Sequence, residues 1–285
     1  MSKHKPITKK IRIKVWEKYN HHCAYCGCKL EYKDMQVDHI DSVYVHCDYK
    51  NYGGYHPKVE KTYNKFNKIV CVSKGCKESF INCFPKLSSK TVVCENFTNT
   101  NRIIKLSKKA KIYEKDKIIF VTICRLAEEK GIDRTIFILK KLYNEGFKNF
   151  KWIIVGGGEK ETIYKNIIKN NLLGNYIEFV GERINPYYYL KNADYFLLPS
   201  FHEAAPMVFG ESIVLKVPII TTNTISAVEL VEKKEVGIVC KNSKKGLYDI
   251  LKKILNGKIK KIYITDQQVH DVNKNAIKDF LQLIK

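Results

Sequence analysis

DYFLLPSFHEAAPMVFGES, residues 194–212, joins a short apolar run to a loop and then to a second apolar segment. The run 194–199 ends in a proline and predicts a buried strand, whereas residues 207–215 have the apolar spacing of a helix. Glu203 then lies on the strand-to-helix loop and Glu211 on the helix. In an open parallel sheet such a loop lies at the carboxyl ends of the strands, where ligands bind. The stretch therefore predicts a ligand site with two carboxylates.

Strand-like and helix-like segments alternate through the second half of the chain. Helical spacings such as 132–143 and 160–171 separate most of the apolar runs, and this alternation implies right-handed crossovers. The predicted fold class is therefore α/β, with a doubly wound parallel sheet. The apolar runs are 118–123, 152–155, 177–180, 195–198, 218–221 and 237–239.

The residues around the two glutamates resemble the donor-site signature of retaining glycosyltransferases of family 4, the glycosyl transferases group 1 with the two-Rossmann GT-B fold. Ser200, Glu203, Pro206, Glu211 and the run 216–221 match that signature, although an alanine and a lysine replace two of its glycines. Without these neighbours, two such glutamates would be interpreted as solvated charges. The resemblance implies a nucleotide-sugar donor-binding domain at residues 111–265 and a C-terminal crossover helix at 266–285.

The loop after the first strand of that domain also resembles the family. Residues 124–131, CRLAEEKG, match G-R-L-x-x-x-K-G except that a cysteine replaces the first glycine. The resemblance implies that Arg125 and Lys130 hold the donor diphosphate, whose oxygens become more negative as the sugar leaves. Glu203 would act on the transferred sugar, and Glu211 would bind the ribose hydroxyls. These two cations and a helix N-terminus can replace a metal, so no cofactor is expected for glycosyl transfer.

Backbone groups complete the predicted donor site. The amides of Met207 and Val208 open the helix after the signature loop, where a phosphate can bind. Gly157 belongs to a run of three glycines, 156–158, that follows the second strand. A tight turn explains these glycines as well as a phosphate contact does, because the full dinucleotide-binding pattern is missing.

Residues 1–60 carry a different pattern. Cys23 and Cys26 form a C-x2-C pair, and Asp38 and His39 follow it in a D-H-I run. This arrangement resembles the opening of an HNH endonuclease, a small zinc-knuckle segment. The resemblance implies that the cysteines provide half of a structural zinc site, that Asp38 holds a catalytic metal and that His39 activates water. The second cysteine pair and the closing His or Asn are missing, so two idle thiols remain an alternative.

Residues 61–110 predict a βαβ unit. A strand at 66–73 ends in Ser73, which can cap a helix at 74–83, and a strand at 90–94 follows. The unit resembles the end of the family's N-terminal domain. The nuclease-like segment takes the place of the earlier part, which carries most of the acceptor pocket, so the chain resembles a fusion or a join of two truncated frames.

Composition limits the class of partner. The 285 residues include 51 Lys plus Arg against 29 Asp plus Glu, a formal charge of +22 that favours anions such as nucleotide diphosphates, acidic lipid headgroups or nucleic acid. Richness in Lys, Asn, Ile and Tyr is also typical of an AT-rich genome, so charge alone is weak support for nucleic acid. The polar N-terminus and the lack of a long apolar run predict a cytoplasmic protein, with contact to the inner membrane face allowed.

Two further features concern cysteines and the C-terminus. Of the ten cysteines, those inside apolar runs, Cys71, Cys94, Cys124 and Cys240, predict buried free thiols. The last helix has a spaced apolar face that would be exposed next to a truncated first domain and would favour homo-oligomers.

These observations predict a retaining glycosyltransferase that moves a hexose from a nucleotide-sugar to a glycan or lipid-linked acceptor. Because the acceptor side resembles a truncated domain, transfer that is impaired, or nucleotide-sugar binding without catalysis, is one alternative. A metal-dependent HNH-type nuclease is the other.

Overall fold

The strands are short and lie mostly within the second half of the chain. A computed structural model describes residues 60–61, 63–113 and 116–283. In this part of the chain the strands are β1 (Ile69–Cys71), β2 (Thr91–Val93), β3 (Ile118–Ile123), β4 (Phe150–Val155), β5 (Ile177–Gly181), β6 (Tyr195–Leu198), β7 (Ile219–Thr222) and β8 (Gly237–Cys240).

Helices separate most of these strands. Over the described ranges they are α1 (Lys74–Cys83), α2 (Thr100–Leu106), α3 (Ile132–Asn144), α4 (Glu161–Asn170), α5 (Tyr187–Leu190), α6 (Met207–Val214), α7 (Lys244–Leu255), α8 (Asp266–His270) and α9 (Lys274–Leu283). Short 3-10 turns lie at Pro85–Lys90, Glu128–Lys130 and Asp271–Asn273, and a π-helical turn lies at Val228–Glu232.

The larger sheet has six strands in the order β5-β4-β3-β6-β7-β8, and each of its neighbouring pairs is parallel. This topology confirms the predicted α/β fold, and the predicted bounds of its strands are correct to within two residues. The chain runs outward from β3 in one direction and from β6 in the other. The topological switch point is therefore between β3 and β6, where Phe120 pairs with Tyr195.

Apolar layers cover both faces of this sheet. On one face Phe120, Trp152 and Ile154 pack with the apolar sides of α3, α4 and α7. On the other face Val121 and Ile153 pack with α6 and with Ile103 of α2. Strands buried on both faces have continuous apolar runs rather than alternating ones, which is why periodicity located them well.

The smaller sheet pairs β1 with β2 in parallel, with α1 between them, and this confirms the predicted βαβ unit. The side chain of Ser73 caps α1, as predicted, by accepting a hydrogen bond from the Cys76 amide at 3.1 Å. The strands are shorter than predicted. The unit contacts the loop before α6, since Cys76 Sγ donates to the Ala204 carbonyl at 3.6 Å and Asn96 Nδ2 donates to the Ala205 carbonyl at 2.9 Å.

The C-terminal segment departs from the prediction of one helix. It breaks into α8, the 3-10 turn and α9. The break places Asn273 against Thr98: its Oδ1 accepts from the Thr98 amide and its Nδ2 donates to the Thr98 carbonyl, each at 2.8 Å. The 3-10 turn between α8 and α9 therefore carries a residue that is bonded to a distant backbone segment.

The apolar face of α9 is exposed, as predicted for the described part of the segment. Ile277, Phe280 and Leu281 are 49%, 46% and 49% exposed. None of the helices in the described ranges is both long and apolar enough to cross a membrane.

The predicted burial of four free thiols is correct in part. Among the described residues Cys71 and Cys240 are buried free thiols, whereas Cys94 and Cys124 are free but partly exposed. Both of the latter lie at the ends of strands, where the cover of the sheet is incomplete.

Candidate functional site

The topological switch point brings Lys130 and Glu203 together. Lys130 follows β3 and Glu203 follows β6, and Lys130 Nζ lies 2.6 Å from Glu203 Oε1. The hydroxyl of Ser200 donates to the same oxygen at 2.7 Å. Both charged side chains are largely buried, with 19% and 10% of their surface exposed. The ion pair holds a carboxylate and an ammonium at the edge of the sheet where the strands β3 and β6 end.

Gly131 determines how closely the Lys130 turn approaches the Glu203 loop. It lies in the left-handed region, with φ 63°, between the turn Glu128–Lys130 and α3. A Cβ atom at this position would lie 2.2 Å from the carbonyl oxygen of Pro199. The glycine of the K-G pair is therefore required by backbone conformation and by contact with the strand-to-helix loop.

Arg125, predicted to bind a diphosphate with Lys130, lies on the surface. Its guanidinium is paired with Glu129 at 2.7 Å, and its side chain is 63% exposed. Such an exposed pair is weak, at about 0.2–1 kcal/mol. The structure therefore places Arg125 beside the Lys130 turn with a carboxylate partner that a ligand has to displace.

Glu211 lies on α6, half-buried, and accepts a hydrogen bond from the hydroxyl of Tyr187 on α5 at 3.1 Å. Burial raises the pKa of Glu211 above the ordinary carboxyl range, and the Tyr187 bond and the charge of Arg102 oppose this shift. Burial likewise raises the pKa of Tyr187, helped by the Glu211 charge. Glu211 is thus a desolvated carboxylate held by a neutral hydroxyl.

The start of α6 offers backbone donors. Met207 and Val208 are its first two residues, and the N-cap residue Pro206 provides no side-chain acceptor for them. Met207 is 43% exposed. The first amides of a helix have no intrahelical partner and lie at the positive end of its dipole, so this end can receive an anion.

The three glycines after β4 allow backbone packing. Gly156 and Gly158 have φ values of 139° and 158°, and a Cβ atom on either would lie within 2.5 Å of the backbone of the loop after β3. Gly157 accepts a hydrogen bond from the Leu126 amide at 2.8 Å. The glycines therefore bring this loop against the loop that carries Arg125, and a role of Gly157 in ligand binding stays a prediction.

Cys124 lies among the charged residues of the site. Burial raises the pKa of its thiol to about 12, while Lys130 lowers it and Glu203 and Glu129 raise it further. The thiol is therefore protonated at neutral pH. Cys124, which stands where the family motif has its first glycine, therefore adds no charge to the site.

The N-terminal predictions cannot be compared with the structure. Cys23, Cys26, Asp38 and His39 lie outside the described residues. Within the described ranges, no group of three or more His, Cys, Asp or Glu side chains is arranged to hold a metal ion.

Sequence reasoning missed the partners of the predicted site residues. Tyr187 belongs to a run of three tyrosines with no distinguishing pattern, and Arg102 lies in a segment interpreted as scaffold. Ser200 was part of the signature, and its position three residues before Glu203 on a tight loop could have indicated the hydrogen bond.

The arrangement can bind a ligand that has both anionic and hydroxyl groups. Lys130 and the amides at the start of α6 offer positive potential at the carboxyl ends of β3 and β6. Glu203 and Glu211 offer acceptors for hydroxyl groups. A carboxylate repels a neighbouring phosphate, and the ammonium of Lys130, which is paired with Glu203, would weaken that repulsion.

The chain is similar in sequence to known glycosyltransferases. The family described as "Glycosyl transferases group 1" matches residues 103–279. An uncharacterized glycosyltransferase of Methanocaldococcus jannaschii is 29% identical over 169 residues, which cover 57% of this chain and 41% of that protein. The capsular polysaccharide biosynthesis glycosyltransferase CapM of Staphylococcus aureus is 28% identical over 192 residues, or 67% of this chain and 50% of CapM.

Solved structures have the same fold. HepE of Anabaena, solved in complex with UDP and glucose, has a TM-score of 0.63 at 19% identity, over 80% of this chain and 64% of HepE. A likeness at this identity concerns the fold alone. The chain spans half or less of the length of the two curated relatives above.

Proposed function

Because this chain belongs to the glycosyl transferases group 1, we propose that it binds a nucleotide-sugar and transfers a hexose with retention of the anomeric configuration. The observation that carries this proposal is the Lys130–Glu203 ion pair at the switch point between β3 and β6. A cation and a carboxylate meet there, α6 begins four residues after the carboxylate, and a nucleotide-sugar has a diphosphate and hydroxyl groups that can bind such groups. That HepE holds UDP and glucose on the same fold supports the choice of ligand class.

The donor is proposed to lie across the start of α6. Its diphosphate contacts Lys130, Arg125 and the amides of Met207 and Val208, and Glu211 accepts hydrogen bonds from the ribose hydroxyls. Binding of the ribose requires Glu211 to share or release its hydrogen bond from Tyr187. Gly157 would contact the donor from the neighbouring loop.

The charged residues would then act on the developing charges of the reaction. The bond between the anomeric carbon and the phosphate oxygen breaks, and the acceptor oxygen bonds to that carbon from the same face. The acceptor hydroxyl passes its proton to the departing phosphate oxygen. The departing diphosphate gains negative charge, which Lys130 and Arg125 stabilise. Glu203 lies beside the sugar and balances the positive charge that develops on the ring.

No metal is proposed for donor binding, because cations and helix amides supply the positive charge. A separate proposal concerns the N-terminal segment, where Cys23 and Cys26 stay predicted zinc ligands. Metal analysis of the purified chain tests it: zinc in a one-to-one ratio that is lost in Cys23→Ser would support it, and its absence would exclude it.

The acceptor is proposed to be a glycan or a lipid-linked sugar, since CapM acts in capsular polysaccharide biosynthesis. We place the chain in the cytoplasm, with contact to the inner membrane face for a lipid-linked acceptor. A chain with half of the length of such relatives can also bind the donor without turnover. Assays of transfer and of donor hydrolysis distinguish these two outcomes.

Calorimetric titration with UDP-, GDP- and ADP-sugars tests the donor proposal. We expect one nucleotide to bind, with its affinity reduced roughly tenfold to a hundredfold in Glu211→Ala and further when Arg125→Ala is added, as for the loss of charged hydrogen bonds. Glu232→Ala, on an exposed residue of the π-helical turn, is the control and should bind normally. Unchanged affinity in the double variant would exclude the proposed site.

A further inference from the structure

Arg134 is a buried charge that the predicted chemistry does not use. It is the third residue of α3, and it is 2% exposed. Its Nε donates to the Pro199 carbonyl at 3.1 Å and its Nη2 to the Ser200 carbonyl at 3.0 Å. Its Nη1 donates to Asn242 Oδ1 at 2.9 Å, and its guanidinium lies 3.8 Å from the centre of the Phe201 ring. One side chain therefore contacts the loops after β6 and β8.

Arg134 is a charge buried mainly among neutral groups. Its hydrogen bonds go to neutral oxygens, and burial lowers the pKa of its guanidinium, while the charges of Cys240 and Asp133 oppose that shift. Burying a charge is costly, and an apolar side chain at this helix position would avoid that cost. The guanidinium instead binds the backbone carbonyls of Pro199 and Ser200, and it thereby holds this part of the loop.

Asn242 completes the contacts around that turn. Its Oδ1 accepts from Arg134, and its Nδ2 donates to the Phe201 carbonyl at 2.8 Å. The three successive carbonyls of the loop are thus all bound by side chains from other elements, with Thr222 also donating to the Ser200 carbonyl. The loop continues directly into Glu203, whose carboxylate is bonded to Ser200 and Lys130.

The loop is also tied to the turn that carries Lys130. The Phe201 amide donates to the Glu129 carbonyl at 2.7 Å. A shift of the Pro199–Phe201 backbone would therefore move Glu203 relative to Lys130. A buried pair depends on good geometry, and small displacements in a donor site are expected to have large effects.

We propose that Arg134, together with Asn242, is a positioning residue that holds the loop 199–203 in the conformation in which Glu203 meets Lys130 and the donor sugar. Both residues contact the loop, and their proposed effect on the donor passes through it. The expected effect of Arg134 on donor binding rests on the proposed function. Its effect on the loop rests on the contacts of the ligand-free protein alone.

Hydrogen exchange of the ligand-free protein tests the loop without any donor. In Arg134→Met, peptides that cover residues 199–206 should exchange about tenfold faster or more, because the Phe201 amide loses its fixed position. Peptides from β3, β4 and β7 should exchange as in the wild type. Arg134→Lys keeps the positive charge but lacks the planar set of guanidinium donors. Its loop peptides should therefore exchange more slowly than in Arg134→Met but faster than in the wild type. Lys141→Met, on the exposed side of α3, is the matched control.

Asn242→Ala gives a second variant that is expected to fold, since Asn242 is only partly buried in a loop. It removes one bond to Phe201 and one to Arg134, and it should raise exchange in the same peptides to a smaller degree. Unchanged exchange at 199–206 in both variants would overturn the proposal. A uniform rise across all strands would also overturn it, because that result indicates general destabilisation.

Donor titration and transfer assays measure the second consequence. Arg134→Met and Asn242→Ala should raise the Kd of the nucleotide-sugar by less than they lower kcat, because the nucleotide contacts of Glu211 remain and the sugar contact of Glu203 is displaced. An equal kcat in wild type and variants would overturn the proposed effect on the sugar. If the wild type binds no nucleotide-sugar, the proposed function fails, and the exchange data still decide whether Arg134 positions the loop.

Discussion

Each charged residue predicted to contact a donor already has a partner within the chain. Lys130 pairs with Glu203, Arg125 pairs with Glu129, and Glu211 accepts from Tyr187. Coulomb attraction in the partly buried Lys130–Glu203 pair is offset by the cost of desolvating both groups. A donor bound as proposed would therefore exchange partners with these residues instead of filling a set of free charges.

The raised pKa of Glu211 predicts that this residue lowers stability at neutral pH. A raised carboxyl pKa means that the native state favours the protonated form. The protonated carboxyl therefore stabilises the native state. This stabilisation is fully present below the unfolded pKa of about 4.3, and it is lost as pH rises through the pKa of the native state. Glu211→Gln keeps an acceptor for Tyr187 and removes the charge, so its Tm at pH 8 should equal or exceed that of the wild type.

Thermal unfolding between pH 4 and pH 8 measures this effect. The difference in Tm between Glu211→Gln and the wild type should shrink toward pH 4, while the affinity for the donor falls roughly tenfold to a hundredfold. Glu232→Gln, an exposed control, should show no pH-dependent difference. A Tm of Glu211→Gln below that of the wild type at pH 8 would contradict the argument.

At the scale of elements, the start of α3 and the loop after β6 are in direct contact. Gly131 allows the backbones to approach because it has no side chain. Arg134 binds the loop with its buried guanidinium. The contact joins the two strands on either side of the switch point. Changes at either residue should therefore affect the site as well as stability.

Gly131→Ala and Gly257→Ala form a matched pair that separates the contact from backbone strain. Their φ values are 63° and 66°, but a Cβ at Gly257 meets nothing within 4 Å. Both variants should lose about 1–2 kcal/mol for the left-handed conformation. Gly131→Ala should lose about 1–3 kcal/mol more, because the added carbon overlaps the Pro199 carbonyl.

Urea unfolding of both variants measures the difference. Only Gly131→Ala should also weaken binding of the donor. Equal losses in the two variants would show that the approach of the loops contributes nothing beyond the backbone conformation.

At the scale of the whole described part of the chain, the βαβ unit is tied to the signature loop by polar contacts. The carboxylate of Glu229 accepts from the amides of Lys74 and Gly75 at the start of α1. Asn96 and Cys76 bond the carbonyls of Ala205 and Ala204. The unit therefore contacts the loop between Glu203 and α6 and the turn that carries Glu229.

Glu229→Gln should weaken this attachment. A carboxylate at a helix N-terminus is worth about 0.3–1 kcal/mol, and at about 2–4 °C per kcal/mol the Tm should fall by a few degrees at most. Glu232→Gln, on an exposed residue of the same π-helical turn, is the control. A fall of the same size in the control would indicate that the charge, and not its contact with α1, is responsible.

The sequence alone determined the fold class, the bounds of β3, β6 and α1, and the edge of the sheet at which Glu203 lies. Periodicity and strand order carry this information, because a strand buried on both faces needs a continuous apolar run and a parallel sheet gathers the loops after its strands at one edge. The family resemblance further predicted Lys130 and Glu211 as ligands, and these roles stay predictions.

Only the tertiary structure decided which side chains pair. Lys130 and Glu203 are 73 residues apart, and Arg134 and Asn242 are 108 apart, so no local pattern records their meeting. The break before α9 has the same origin, since Asn273 bonds Thr98, 175 residues away. Such pairs depend on strand register and on the rotation of each helix, which packing sets after the local elements have formed.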